Sequence, residues 1–141
     1  CKGIIVVNVL VTGAAGFIGS NLVHLLVSER PNWKIYALDL LTYAGNLENL
    51  SDQLQGGKIE FIKADITDSA QMKKLFSEKS FEYVFHLAAE SHVDRSIHSA
   101  AEFVKTNVLG TQVLIDCAMS SKVKRFVHIS TDEVYGSLGP A

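Results

Sequence analysis

Five short runs rich in β-branched and other apolar residues recur at 6–12, 34–39, 59–63, 83–87 and 125–130, and a helical pattern or a loop follows each. The helical patterns cover 17–28, a short piece near 47–53, 69–78 and 100–120. Runs such as VFHLAA and RFVHIS are nearly continuous in apolar residues, the pattern of strands covered on both faces. This βαβ rhythm predicts an α/β fold, a doubly wound parallel sheet of the Rossmann-like kind, in which ligands bind beyond the carboxyl ends of the strands where strand order reverses.

The chain of 141 residues suits one domain, and its 48% hydrophobic and 20% charged residues are those of a soluble globular protein. A formal net charge of −2 gives no reason to expect nucleic acid or an anionic membrane as partner and leaves small molecules. Two cysteines, Cys1 and Cys117, are too few for a disulfide framework or a thiolate metal site and suit a reducing cytoplasm; Cys117 reads as helix packing. The apolar stretch 4–11 is interrupted by Asn8 and is far shorter than the ~20 residues of a membrane span. The start at Cys1 and the turn-like ending GSLGPA read as a piece cut from a longer chain.

The first run enters TGAAGFIGS, which spaces Gly13, Gly16 and Gly19 three apart and opens a helix. Glycines there allow a sharp turn, close approach of backbone N–H groups to a pyrophosphate, and tight packing of helix on strand. The helix N-terminus adds partial positive charge. A bare glycine triplet is a weak signal, but between a strand and a helix it predicts a dinucleotide site. Asp39 ends the second run 20 positions after Gly19, where a carboxylate accepts hydrogen bonds from both ribose hydroxyls and repels a 2′-phosphate, favouring NAD over NADP. Asp65, in ADITD, reads equally well as a contact to the adenine edge or as the cap of the following helix.

After the fourth run, LAAESHVDRS offers Ala88 and Ala89 as small residues over which a cofactor can lie. Ser91, Arg95 and Ser96 are candidates for a sugar or phosphate, or members of a solvated polar loop. His86, His92 and His98 fall six apart, which is no zinc-ligand spacing, so no metal is expected. His128 reads as a satisfied core histidine. The 100–120 helix is apolar over more than one stripe, from Phe103, Val104 and Val108 to Val113, Leu114, Ile115 and Met119, which predicts one face on the sheet and another on a helix absent from this chain or on a second subunit. Left uncovered, that face predicts self-association. Gly110 within it costs ~1 kcal/mol against alanine, and a close helix contact would explain it. Finally, HISTDEVYG sets Asp132 and Glu133 side by side at a strand end.

Together TGAAGFIGSNLVHLL, LDLLTYAGNLENL, FIKADITD, HLAAESHVDRSI, TNVLGT and HISTDEVYG resemble the nucleotide-sugar 4,6-dehydratases of the extended short-chain dehydrogenase/reductase family, over about residues 9–136. The glycine motif is shared with 4-epimerases, whereas LTYAGN and TDEVYG are more specific to the dehydratases. The resemblance implies NAD as cofactor, oxidation at C4 of the sugar, loss of water across C5 and C6, and return of the same hydride to C6. It makes Glu133 the base, Asp132 the acid and Thr131 the hydrogen-bond partner of the C4 oxygen. Two carboxyl groups in different protonation states suit an elimination. Neighbours in a regular strand point to opposite faces, so both acids can serve one substrate only if the chain leaves extended geometry near Asp132.

The same resemblance implies cofactor contacts at Gly13, Gly16, Phe17, Ile18, Gly19, Asp39, Thr42, Asp65, Ile66, Leu87, Ala88, Ala89 and Thr106, and places Ser91 and Thr131 near the nucleotide-sugar substrate. It also implies a homodimer at full length. The family's Tyr-x-x-x-Lys pair is not matched, since Tyr135 has Gly139 four residues later. Residues 1–141 are therefore expected to form an incomplete NAD-binding domain without the later strands or the substrate domain, inactive by itself. The alternatives are a UDP-sugar 4,6-dehydratase, a 4-epimerase relative, or a non-catalytic NAD-binding module.

Overall fold

The computed structural model describes residues 6–91, 100–136 and 139, apart from the side chains of Asp132 and Glu133. In chain order the elements are β1 (Val7–Thr12), α1 (Phe17–Glu29), β2 (Trp33–Asp39), a 3₁₀ turn (Leu47–Leu50) running into α2 (Ser51–Gln55), and β3 (Ile59–Lys63). There follow α3 (Ser69–Lys79), β4 (Tyr83–His86), α4 (Ala100–Phe103), a π-helical segment (Val104–Gly110), α5 (Thr111–Ser120), β5 (Arg125–His128) and a 3₁₀ turn (Asp132–Tyr135). All five strands pair in parallel, in the order β3-β2-β1-β4-β5. The chain thus builds outward from β1 through β2 and β3, then returns to lay β4 on the other side of β1. That reversal makes the carboxyl end of β1 the switch point where a ligand is expected.

Both faces of the sheet are covered because successive strand residues alternate between them. Val9, Val11, Ile35 and Ala37 pack with Val23 and Leu26 of α1 and with Leu50. Leu10, Tyr36, Leu38 and Val84 pack on the opposite face with Met72, Leu75 and Phe76 of α3 and with Val113, Leu114 and Cys117 of α5. Asn8, the polar break in the first apolar run, holds α3 in place: its amide donates to the Lys79 carbonyl at 2.6 Å. Asp68 caps the other end of α3, accepting from the Gln71 amide at 2.9 Å. Asp65 is not that cap. Its carboxylate accepts from the amide and the hydroxyl of Thr67, both at 2.8 Å, closing a local turn instead.

The predicted 100–120 helix is one helical path with a widened turn in its middle. Gly110 is buried there, and a Cβ on it would lie 2.6 Å from Cδ1 and 2.7 Å from Cγ1 of Ile66. The close neighbour is thus the loop after β3, not another helix. Full burial of Met72, Phe76 and Leu114 contributes roughly 1.5–3 kcal/mol each, enough to outweigh the ~1 kcal/mol that a helical glycine costs. The helix divides as its composition predicts: Val113, Leu114 and Cys117 are buried, while Val104, Val108, Leu109 and Met119 are exposed. Burial raises the pKa of the Cys117 thiol, as expected of a packing residue. His128 departs from expectation. It is exposed, because β5 pairs with β4 alone among the described strands and so lies at the sheet edge.

Candidate functional site

The turn between β1 and α1 is built so that only glycine serves at two of its positions. Gly13 has φ +68°, and a Cβ on it would lie 2.7 Å from the Ala88 nitrogen and from the Leu87 carbonyl carbon. At Gly19 a Cβ would lie 2.0 Å from the Gly13 carbonyl oxygen. The turn therefore lies directly against the end of β4, and the first helical turn lies directly against the turn. Gly16 is the N-cap of helix α1, which has no capping side chain and no acid in its first turn. Its amino end keeps its positive partial charge for an external anion, and Phe17 and Ile18 stand exposed beside it.

Asp39 locks this turn to β2. One carboxylate oxygen accepts from the Ala15 amide at 2.9 Å and the other from the Leu41 amide at 2.8 Å, and the residue is only 8% exposed. The Ala15 carbonyl in turn accepts from the Asn46 amide at 3.1 Å and the Asn49 side-chain amide at 3.0 Å. An ionised carboxylate offers about four acceptor positions, so roughly two remain for ribose hydroxyls. The charge disfavours a 2′-phosphate at the same place. These residues fit a dinucleotide with a free adenosine ribose.

On the other side of β1, a hydrogen-bonded chain absent from the sequence reading ties β4 to the long helix. The Thr12 hydroxyl oxygen accepts from the Leu87 and Ala88 amides, each at 3.3 Å, so its proton goes to His86 Nδ1 at 2.8 Å. His86 Nε2 then carries the ring proton and donates to the Thr111 hydroxyl at 2.9 Å, which donates to the Asn107 carbonyl at 2.7 Å. His86 is wholly buried, and burial first, with His128 second, lowers its pKa to about 4, in keeping with this neutral tautomer. The Asn107 side chain clamps the loop after β4, accepting from the Glu90 amide at 2.8 Å and donating to the Glu90 carbonyl at 2.9 Å. Asn107 and Thr111 stand in TNVLGT and Tyr43 in LTYAGN, which was the one sign that these positions mattered.

The remaining predicted residues fall around this core. Thr42 accepts from the Gly45 amide through its carbonyl at 3.2 Å, in the loop after β2. Ile66 is buried. Thr106 is half-buried beside Asn107, and Ser91 is exposed at the end of the β4 loop. Arg95, Ser96, His92 and His98 lie outside the described residues. Thr131 is exposed, one residue before the 3₁₀ turn that begins at Asp132. The backbone thus leaves extended geometry at Asp132, and a 3₁₀ turn separates neighbours by about 120° instead of ~180°. Gly136, at φ +71°, ends the turn. A broad cleft lined by Arg30, Trp33 and Lys58 lies at the amino ends of β2 and β3, remote from all of these residues.

A parallel sheet reversing at β1, a glycine turn at the mouth of α1 and a carboxylate at the end of β2 define a nucleotide-binding α/β protein of the Rossmann-like class. The chain belongs to the GDP-mannose 4,6 dehydratase family, whose model matches residues 10–141. It is 52% identical over 136 residues to the dTDP-glucose 4,6-dehydratase of Streptomyces antibioticus, covering 93% of this chain and 39% of that protein. To the dTDP-glucose 4,6-dehydratase of Neisseria gonorrhoeae it is 48% identical over 141 residues, covering 93% and 40%. Among solved structures it matches the dTDP-glucose 4,6-dehydratase DesIV of Streptomyces venezuelae with NAD and TYD bound, at TM-score 0.88 and 44% identity, covering 95% of this chain and 42% of that one. It matches the UDP-glucose 4-epimerase of Thermotoga maritima with UDP-glucose at TM-score 0.85 and 36% identity, covering 95% and 41%. The chain spans about two-fifths of the length of these curated relatives.

Proposed function

We propose that this chain is the dinucleotide-binding part of an NAD-dependent nucleotide-sugar 4,6-dehydratase, a lyase that converts dTDP-glucose to dTDP-4-keto-6-deoxyglucose. The observation that carries this reading is the glycine turn at the switch point, locked by Asp39 to the end of β2. The amino end of α1 at Phe17 and Ile18 holds the diphosphate, Asp39 the adenosine ribose, and the backbone at Asp65 and Ile66 the adenine edge. Leu87, Ala88 and Ala89, with Thr42 and Thr106, line the rest of the cofactor's path. When bound, NAD supplies a hydride acceptor at C4 of the sugar and a hydride donor at C6.

The chain's own part in the chemistry is proton handling. Glu133 takes the C5 proton, which a ketone at C4 acidifies, Asp132 protonates the departing C6 oxygen, and Thr131 and Ser91 hydrogen-bond the sugar. A homodimer through the exposed face of Val104, Val108, Leu109 and Met119 and a cytoplasmic location complete the proposal. Among the described residues no helix is long and apolar enough to cross a membrane.

Two measurements test this reading. Titration calorimetry should show NAD bound and NADP bound at least tenfold more weakly, the cost of a phosphate facing Asp39 being roughly 1.4 kcal/mol or more. The protein expressed from its complete reading frame should turn dTDP-glucose into a 4-keto-6-deoxy product. Formation of the 4-epimer in its place would assign it to the epimerases, and NAD binding without turnover would leave a non-catalytic module.

A further inference from the structure

The glycine turn lies between two loops that are themselves joined. Strands β2 and β4 flank β1, two strand spacings or ~10 Å apart, too far for their backbones to bond across it. Their following loops are nevertheless linked: the Tyr43 hydroxyl, after β2, donates to Glu90 Oε2, after β4, at 2.9 Å. Each end of this link is anchored. The Tyr43 loop is held by Leu41 on Asp39 and by the Asn46 amide on the Ala15 carbonyl. Glu90 is clamped on both sides of its backbone by Asn107. Two fixed loops joined by side chains thus bridge the end of β1, beside the uncapped amino end of α1.

We propose that the Tyr43–Glu90 hydrogen bond is a strap that retains the dinucleotide, so that cofactor release waits on its breaking. This rests on the reading of the glycine turn as a dinucleotide site. The proposed reaction supplies the physical reason for such a device. The hydride removed in its first step is needed again in its last, so a cofactor that left in between would strand the oxidised sugar. The bond is exposed and shared between a hydroxyl and a carboxylate, strong enough to slow release and weak enough to open.

The test uses the protein from its complete reading frame, loaded with NADH and chased with excess NAD while NADH fluorescence is followed by stopped flow. Tyr43→Phe keeps the ring and removes the hydroxyl that donates to Glu90, and it should speed release about 3- to 10-fold, the worth of one such bond. Glu90→Ala should do the same, and the double variant should be no faster than either. Glu90→Gln keeps an amide oxygen within reach and should fall within about twofold of wild type. Association should be unchanged throughout, whereas a general loosening of the site would slow it. Release from Tyr43→Phe and Glu90→Ala at the wild-type rate, or additive effects in the double variant, would overturn the strap while leaving the dinucleotide site standing. Wild-type protein that binds no NADH would remove both.

Discussion

His86 predicts how this protein responds to acid. Its ring is buried between Thr12 and Thr111, with Phe126 at 6.0 Å and His128 stacked at 5.0 Å between centroids. Nδ1 must accept from Thr12, which a protonated ring cannot do. The unfolded chain takes up this proton near 6.5, the folded one only near 4. Between those values the unfolded state binds more protons, so stability rises with pH across the window. The contribution is fully present above 6.5 and is lost as pH falls through 4. At 1.36 kcal/mol per pH unit the difference is about 3 kcal/mol. Glu60, held low by Lys79 first and by Lys34 as well, loses its own contribution only below the ordinary carboxylate value of 4.5. Urea denaturation of wild type and His86→Gln at about pH 7 and about pH 4 separates the histidine from the carboxylates. Wild type should lose about 3 kcal/mol more than the variant over that range. The NMR signal of the His86 ring should stay flat until well below 6. Parallel losses in the two proteins, or a ring that titrates near 6.5, would refute the reasoning.

Gly19→Ala places a methyl 2.0 Å from the Gly13 carbonyl oxygen, a backbone atom without freedom to yield, and should weaken NAD binding by roughly tenfold or more in calorimetry. Gly110→Ala gains helix propensity but drives its Cβ to 2.6 Å from buried Ile66, so thermal denaturation should show a net loss of about 1–3 kcal/mol. Adding Ile66→Val, which removes the colliding Cδ1, should recover part of it. Asn107→Ala removes both bonds to Glu90 and should raise hydrogen exchange in the loop after β4 while leaving β1 and β2 protected.

Much of the architecture was legible because side-chain periodicity reports which faces are covered. Each of the five predicted strands is present with ends shifted by at most two residues, and α1 and α3 begin where expected. The glycine turn was legible for a different reason: a strand, three spaced glycines and a helix form a local unit. Asp65 and His128 show where this kind of reading stops. ADITD contains two acids that could cap α3, and only the bonds of Asp65 to Thr67 show that Asp68 does so. RFVHIS, like VFHLAA, sets a histidine after two apolar residues, yet among the described strands β5 lies at the edge and β4 inside, a difference of strand order that the histidine's local surroundings do not contain.

The sequence by itself determined the elements, the parallel sheet and the position of the glycine turn, since all three follow from patterns within a few tens of residues. The tertiary structure alone decided what His86 and Asp39 are bonded to and that Tyr43 meets Glu90. These contacts join residues 74, 24 and 47 positions apart. They exist because β1 received β2 on one side and β4 on the other, and the protonation of His86 follows from that placement, because burial between two threonines holds its ring neutral.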